Sequence, residues 1–170
     1  MIILGIDPGA TTGWCLYDSG DRHVIASGSD RDIGVVAELH HAMLLEHVDD
    51  IAIERPKGYG PTRPQVVDCA YVCGWIAATL DAHGFEVHEL VRRDVCAILT
   101  DAVHGVVRVK NDATAWAALV LLHGEGSDRK LKKRKGVVVE EGGAIGGVTS
   151  HARAALAVAV AFALRHEVTK

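Results

Sequence analysis

The sequence of 170 residues predicts one α/β domain, a mixed five-stranded sheet with helices on both faces. Hydrophobic residues make up 49% and charged residues 24%, which is typical of a globular domain with a sizeable core. Three β-rich runs joined by short turns open the chain and predict an antiparallel meander. Later runs alternate between strand and helix patterns, which favours parallel strands with helices between them.

The first three strands are predicted over residues 1–6, 13–19 and 22–28, with glycine-containing turns between them. Apolar residues at helical spacing then predict a helix over 33–48, with Asp30 or Asp32 available as its cap. Residues 50–54, "DIAIE", form a short buried strand. The next segment, "RPKGYGPTRP", holds three prolines and two glycines, so it is predicted to be a loop.

A long helix follows from residue 65 and ends before Gly84. The fifth strand is predicted over 85–91 and a short helix over 92–99. Asn111 caps another helix that ends at Gly124, and the last helix covers 150–166. Residues 125–149 are basic and then glycine-rich, and they are expected to be a flexible loop. We see no second domain and assign 1–170 to one.

Composition excludes some classes of protein and leaves others open. The longest apolar run, 154–164, is about half of what a membrane-spanning helix needs, which predicts a soluble cytoplasmic protein with no membrane partner. The net charge of −4 argues weakly against a nucleic-acid partner. However, six of the 18 Lys and Arg lie in "RKLKKRK", residues 129–135. This run is either a solvated loop or a contact for an anionic polymer.

Two carboxylates stand at the ends of predicted core strands: Asp7 after "ILGI" and Glu54 after "IAI". If these strands are neighbours, the carboxylates lie close together and repel each other unless a cation lies between them. Hard divalent cations such as Mg²⁺ prefer such oxygen ligands. The alternative is that each is a turn or cap residue. His151, in the first turn of the last helix, is either a third ligand or a surface residue.

Three motifs carry a resemblance to a known family: "GIDPGATTGW", "AIERP" and "SHARAALAVAVA", in this order and spacing. Together they resemble the RuvC-type Holliday-junction resolvases, in particular the short phage-encoded branch. The resemblance spans almost the whole chain and includes "ELVRRDVCAILTD" and "GVVRVKNDATAWAAL". It implies an RNase H-like fold, whose meander followed by alternating strands and helices agrees with the predicted element order.

The resemblance implies a homodimeric endonuclease that nicks four-way DNA junctions with Mg²⁺, or Mn²⁺ as a substitute. Asp7 corresponds to the first catalytic aspartate, Glu54 to the central glutamate, and His151 to a position that is Asp or His. In that family two metal ions, about 4 Å apart, hydrolyse the phosphodiester. If the chain is phage-encoded, it acts in the cytoplasm of a bacterial host.

The last motif departs from the family pattern. It usually reads Asp/His-x-x-Asp, with both side chains on one helical turn, but here the fourth position is Ala154, which cannot bind a metal. Either a substitution was introduced or this branch lacks the carboxylate. Asp112, Glu140 and Glu141 are candidates to compensate for the missing carboxylate, but Asp112 reads as a helix-start residue and the two glutamates as solvated, so we assign no ligand role to them. We expect weak or absent cleavage by this chain.

The resemblance places a junction near the carboxylates, where basic side chains contact phosphates. Tyr59 is a candidate wedge that disturbs base stacking at the crossover. The candidate basic contacts lie after Glu54, before and between the middle helices, in the basic run and in the last helix: Arg55, Lys57, Arg63, Arg92, Arg93, Arg108, Lys110, Lys130, Lys132, Lys133, Arg134, Lys135 and Arg153.

Apolar and small residues cover more than one side of the helix that starts at residue 65, from Val66 to Ala78. This pattern indicates either burial within the domain or contact with a dimer mate.

Other functions remain open. "GIDPGATTG" also resembles the phosphate-binding hairpin of actin, heat-shock chaperones and sugar kinases, but the chain is too short for their two domains. An RNA nuclease of the same fold, similar to the YqgF-like branch, is a second alternative. A non-catalytic protein that binds branched DNA is a third, which Ala154 makes reasonable.

Overall fold

The structure, a computed structural model, describes residues 1–31, 47–56, 64–130, 132–134, 137–140 and 142–167. Most of the helix predicted over 33–48 therefore lies outside the described residues. The strands are β1 (Ile2–Asp7), β2 (Thr11–Asp18), β3 (His23–Arg31), β4 (Asp50–Arg55), β5 (Val87–Val91), β6 (Lys132–Arg134) and β7 (Val137–Glu140). The helices are α1 (Pro64–Ala82), α2 (Arg92–Ala102), α3 (Asp112–His123) and α4 (Ser150–Glu167).

The main sheet has five strands in the order β3-β2-β1-β4-β5. β1 to β3 pair antiparallel as a meander, whereas β4 pairs parallel with both β1 and β5. The predicted mixed sheet is therefore confirmed. Because β1 and β4 are parallel neighbours, their carboxyl ends meet at the same edge, which positions the candidate site.

Helices cover both faces of this sheet, also as predicted. Alternate residues of a strand point to opposite faces, so β1 sends Leu4 and Ile6 to one side and Ile3 to the other. Leu4 and Ile6 pack in the cluster that includes Ile76 of α1. Ile3 packs in the larger cluster formed with α2, α3 and α4. No helix of the described residues is long and apolar enough to cross a membrane.

The helix α4 lies directly on the backbone of β1 and β2. Its core-facing residues are mostly alanine, and nearly all residues from Ala152 to Ala163 are buried. A Cβ atom added at Gly5 would collide with the carbonyl oxygen of Ala155, and one added at Gly13 with that of His151. These two glycines therefore allow the close approach that brings the first turn of α4 to the edge carrying Asp7.

Helix ends follow the sequence signals. The Asn111 side chain accepts a hydrogen bond from Thr114 N, and the Thr114 hydroxyl accepts one from Asn111 N, which forms a capping box at the start of α3. Gly84 and Gly124 adopt φ values of 88° and 87° after α1 and α3, a conformation that favours glycine.

The segment 125–149 differs from the predicted loop. Residues Lys132–Arg134 and Val137–Glu140 pair antiparallel as a two-stranded hairpin, and Ile145 is fully buried in the larger core cluster. Backbone hydrogen bonds from Gly143 N to Arg129 O and from Ile145 N to Ser127 O tie the end of this segment to its beginning. The loop prediction is wrong for these residues because it weighed charge and glycine content above the valine run at 137–139.

Candidate metal and nucleic-acid site

The structure brings Asp7 and Glu54 together at one edge of the sheet. Ile6 of β1 is paired with Ile53 of β4, and the next residue in each parallel strand is one of the two acids. Asp7 is half-buried, and the Glu54 side chain is only 13% exposed. The predicted neighbourhood of these two strands is therefore confirmed.

Burial disfavours the charge on Asp7. Burial, the largest cause, and the negative charge of Glu54 together raise the pKa of this carboxyl from 3.8 to about 7, although the positive charge of Arg92 opposes both effects. Near neutral pH the carboxyl is consequently poised between its neutral and charged forms. A divalent cation would offset both causes, so two oxygen donors in this setting fit one hard cation such as Mg²⁺.

A guanidinium group already contacts Glu54, one member of this pair. Arg92 is the first residue of α2, directly after β5, and β5 runs parallel to β4 with Leu90 opposite Glu54. Its Nη1 donates a hydrogen bond of 2.9 Å to Glu54 Oε2, and its Nη2 pairs with Asp112 at the start of α3. Sequence reasoning assigned Arg92 to DNA and did not find these contacts.

The backbone of His151 reaches the same edge. Its carbonyl lies against Gly13, which is paired with Asp7 across β1 and β2, while its side chain is exposed. Ala154, at the position where the family motif has an acid, is only 4% exposed. The structure thus places the start of α4 beside the carboxylates but offers no fourth ligand at residue 154.

A cluster of three metal-ligating side chains occurs elsewhere. Within the described ranges, the ligand atoms that come within 4.8 Å of one another belong to Asp18, Asp21 and His23. Asp7, Glu54 and His151 do not form such a group. Asp18 caps the turn between β2 and β3, since its Oδ1 accepts a 2.8 Å hydrogen bond from Gly20 N. That bond also lowers the pKa of Asp18. The cluster is accounted for by the turn and lies at the far end of β2 from Asp7.

Several predicted DNA contacts are exposed. Arg93 is the second residue of α2, Arg108 and Lys110 lie between α2 and α3, and Lys130 precedes the hairpin. Arg93 lies 3.7 Å from Asp94, and Arg55 donates a 2.9 Å hydrogen bond to Glu89. These pairs are solvent-exposed and contribute little to stability, so both arginines remain compatible with phosphate contact.

Arg153 has internal partners. Its guanidinium carbon lies 4.2 Å from the centre of the Trp116 ring, and its Nε donates a 3.2 Å hydrogen bond to Val148 O. The side chain therefore connects α4 with α3 and with the segment before α4. Its predicted contact with the scissile phosphate stays a prediction.

The remaining predicted contacts cannot be placed. Lys57, Tyr59, Arg63 and Lys135 lie outside the described residues, as does Glu141. The side chains of Lys132, Lys133, Arg134 and Glu140 are likewise outside the description, although their strands are placed.

The sheet order and the helices on both faces define an RNase H-like domain. The chain is similar to Thermus thermophilus RuvC in complex with a Holliday junction substrate, with 15% identity, a TM-score of 0.64, and 99% and 96% coverage of the two chains. It is also similar to a second Thermus thermophilus RuvC structure, with 13% identity, a TM-score of 0.65, and 99% and 97% coverage. No family model and no curated protein matches the sequence. The predicted resemblance to the RuvC-type resolvases is thus confirmed at the level of the fold.

Proposed function

We propose that this protein is a structure-selective endonuclease of branched DNA, with four-way junctions as its substrate. The observation that carries the proposal is the half-buried pair of Asp7 and Glu54 at adjacent ends of β1 and β4. One of the similar RuvC structures holds a Holliday junction substrate, which supports the choice of DNA over RNA.

Asp7 and Glu54 would hold Mg²⁺ or Mn²⁺, with His151 as a third ligand after its exposed side chain turns toward them. A divalent ion supplies Lewis acidity for phosphodiester hydrolysis. The chain itself contributes the rigid strand ends that fix both carboxylates. Because burial and mutual repulsion disfavour two uncompensated negative charges there, the charged carboxylates are favoured when a cation is bound between them. Since Ala154 is buried and apolar, we propose that this site cuts weakly or not at all.

A labelled four-way junction tests this proposal with three forms of the protein: the chain itself, Ala154→Asp, and Ala154→Asp combined with Glu54→Gln. We expect all three to bind the junction more tightly than a linear duplex of equal length. Symmetric nicking with Mg²⁺ or Mn²⁺ is expected only from the Ala154→Asp single variant, because Glu54→Gln removes a metal ligand.

Other outcomes separate the alternatives. Equal affinity for junction and linear duplex contradicts the proposal. Selective binding without nicking by any form, despite normal folding of the Ala154→Asp variant, favours the non-catalytic junction-binding protein. Preferential cleavage of structured RNA favours the RNA nuclease.

We also propose that the protein acts as a homodimer through α1. This helix buries Val72, Ile76 and Leu80 against the sheet, yet its outward face is apolar as well. Four exposed residues repeat on that face at intervals of four, three and four: Val67, Tyr71, Gly74 and Ala78. This spacing matches the seam of a two-helix contact. The Val67 side chain is 54% exposed and that of Tyr71 is 71% exposed, so this face presents apolar surface that a second copy of α1 would cover.

Tyr71→Glu is expected to convert the dimer to a monomer, because it places a charge in the centre of the apolar seam. Light scattering coupled to size exclusion measures the change as a halved mass. Val106→Glu is the matched control, since Val106 is 76% exposed between α2 and α3 and away from this seam. A monomeric unaltered chain contradicts the dimer, and an unchanged dimeric mass for Tyr71→Glu contradicts the interface through α1.

A further inference from the structure

Arg92 forms one bridge between two acidic side chains. It donates to Glu54 Oε2 through Nη1 and pairs with Asp112 through Nη2. A guanidinium offers several donors in a rigid fork, so one side chain can engage two carboxylates, whereas a lysine is a flexible point charge. The bridge engages one of the two carboxylate oxygens of Glu54.

The far end of the bridge is fixed by α3. Asp112 is in the first turn of this helix, whose start is held by the capping box of Asn111 and Thr114. A negative side chain is favourable at this position because of the helix dipole. The Asp112 side chain is 67% exposed, so it is not part of the core, and its role in the bridge is to hold the Arg92 guanidinium in place.

The bridge puts a permanent positive charge beside the proposed cation site. We propose that Arg92 is a positioning residue and an internal counter-ion: held by Asp112, it orients Glu54 and competes with divalent cations for that carboxylate. This inference rests on the proposed function, because it assumes that Asp7 and Glu54 bind the cation. It assigns Arg92 to the carboxylates, in place of the DNA contact expected from the sequence.

The inference predicts opposite effects for the two ends of the bridge. Arg92→Gln removes the competing charge, and we expect its affinity for Mn²⁺ to rise about tenfold, since a unit charge a few ångströms from a divalent ion opposes binding even at a high effective dielectric constant. Asp112→Asn keeps the guanidinium but removes the negative charge that partly neutralises it, so its affinity for Mn²⁺ should fall about threefold. Arg92→Lys keeps the charge and should remain near the unaltered chain.

Titration of the DNA-free protein with Mn²⁺ alone, followed by calorimetry, measures these affinities without any cleavage. Arg93→Gln is the matched control, because it makes the same change in the same helical turn, and the ion pair of Arg93 among the described residues is with Asp94 and not with Glu54. Its affinity should not change. Thermal unfolding of each variant shows whether the domain is intact, and Asp112→Asn, at an exposed position, tests the bridge without altering the core.

The outcomes are distinguishable. A rise for Arg92→Gln with a fall for Asp112→Asn supports the inference. A fall for both, in step with lower thermal stability, shows a merely structural bridge and overturns it. Unchanged affinities overturn it as well, while leaving the proposed metal site in place. Absence of Mn²⁺ binding by the unaltered chain and by Arg92→Gln overturns the metal site and this inference together.

Discussion

Gly5→Ala is expected to lower the free energy of unfolding by about 3 kcal/mol, the upper part of the range for overpacked cores. The added Cβ would collide with the carbonyl oxygen of Ala155 and lie 2.9 Å from Ala159 Cβ and 3.0 Å from Ala159 N. Two of these three atoms belong to the helix backbone and cannot rotate away. The helix α4 must therefore shift from the sheet, and chemical denaturation measures the loss.

Gly74→Ala is the matched control for this substitution. Gly74 lies within α1, and an added Cβ there meets nothing within 4 Å. Alanine has the higher helix propensity, so this variant should be more stable by about 0.5–1 kcal/mol. Both glycine substitutions are compared in the Tyr71→Glu background, because Gly74 lies in the proposed α1 seam and that background keeps the seam open. Equal effects of the two substitutions would contradict the close packing of α4 on β1. Gly13→Ala should also be destabilising, and it should in addition displace His151 from the edge that carries Asp7.

Much of the fold follows from local patterns. The runs around Ile3, Trp14 and Ile53 have the length and β-rich composition of strands, and Gly84, Asn111 and Gly124 carry helix-end chemistry that depends on a few neighbouring residues. The proximity of Asp7 and Glu54 required one further step, the pairing of β1 with β4. That step was available because short parallel strands separated by helical segments tend to be neighbours in a sheet.

The contacts that the sequence did not predict join residues far apart in the chain. Gly5 and Gly13 read as turn or strand glycines, since nothing local shows that α4, some 140 residues later, lies on them. For Arg92 the sequence indicates only a positive charge, which is equally compatible with a phosphate partner and a carboxylate partner. Its choice of Glu54 and Asp112 depends on how β4, α2 and α3 converge. The sequence did offer one signal for this contact: Arg92 comes directly after β5, and β5 is the strand that follows the Glu54 strand in the sheet.

Asp7→Asn is expected to stabilise the cation-free protein while it abolishes cation binding. The Asp7 carboxyl has a pKa of about 7 when folded, against 3.8 for the ordinary group. Between these values the folded protein holds the proton more tightly than the unfolded chain. The contribution of Asp7 to stability therefore falls as the pH rises from about 4 to about 7, and it stays low above pH 7.

Asparagine cannot ionise, so the variant should match the unaltered chain near pH 4 and exceed it by about 2–4 kcal/mol at pH 8. Urea denaturation in the presence of a chelator, at several pH values, measures this difference. Asp101→Asn is the control for loss of a negative charge, because Asp101 is exposed near the C-terminal end of α2. A difference that does not grow between pH 4 and pH 8 contradicts the burial of Asp7.

Divalent cations should reverse the order of stability. A ligand that binds only the folded state stabilises it in proportion to the logarithm of its concentration above the dissociation constant. Mg²⁺ or Mn²⁺ at pH 8 should therefore raise the stability of the unaltered chain and leave Asp7→Asn unchanged, because the variant lacks the charged ligand. Such a result would show that the Asp7 carboxylate destabilises the cation-free fold and is kept for cation binding, since stability alone would favour its replacement by asparagine. Equal stabilisation of both proteins would place the cation elsewhere, for which the Asp18, Asp21 and His23 cluster is the first position to test by substitution.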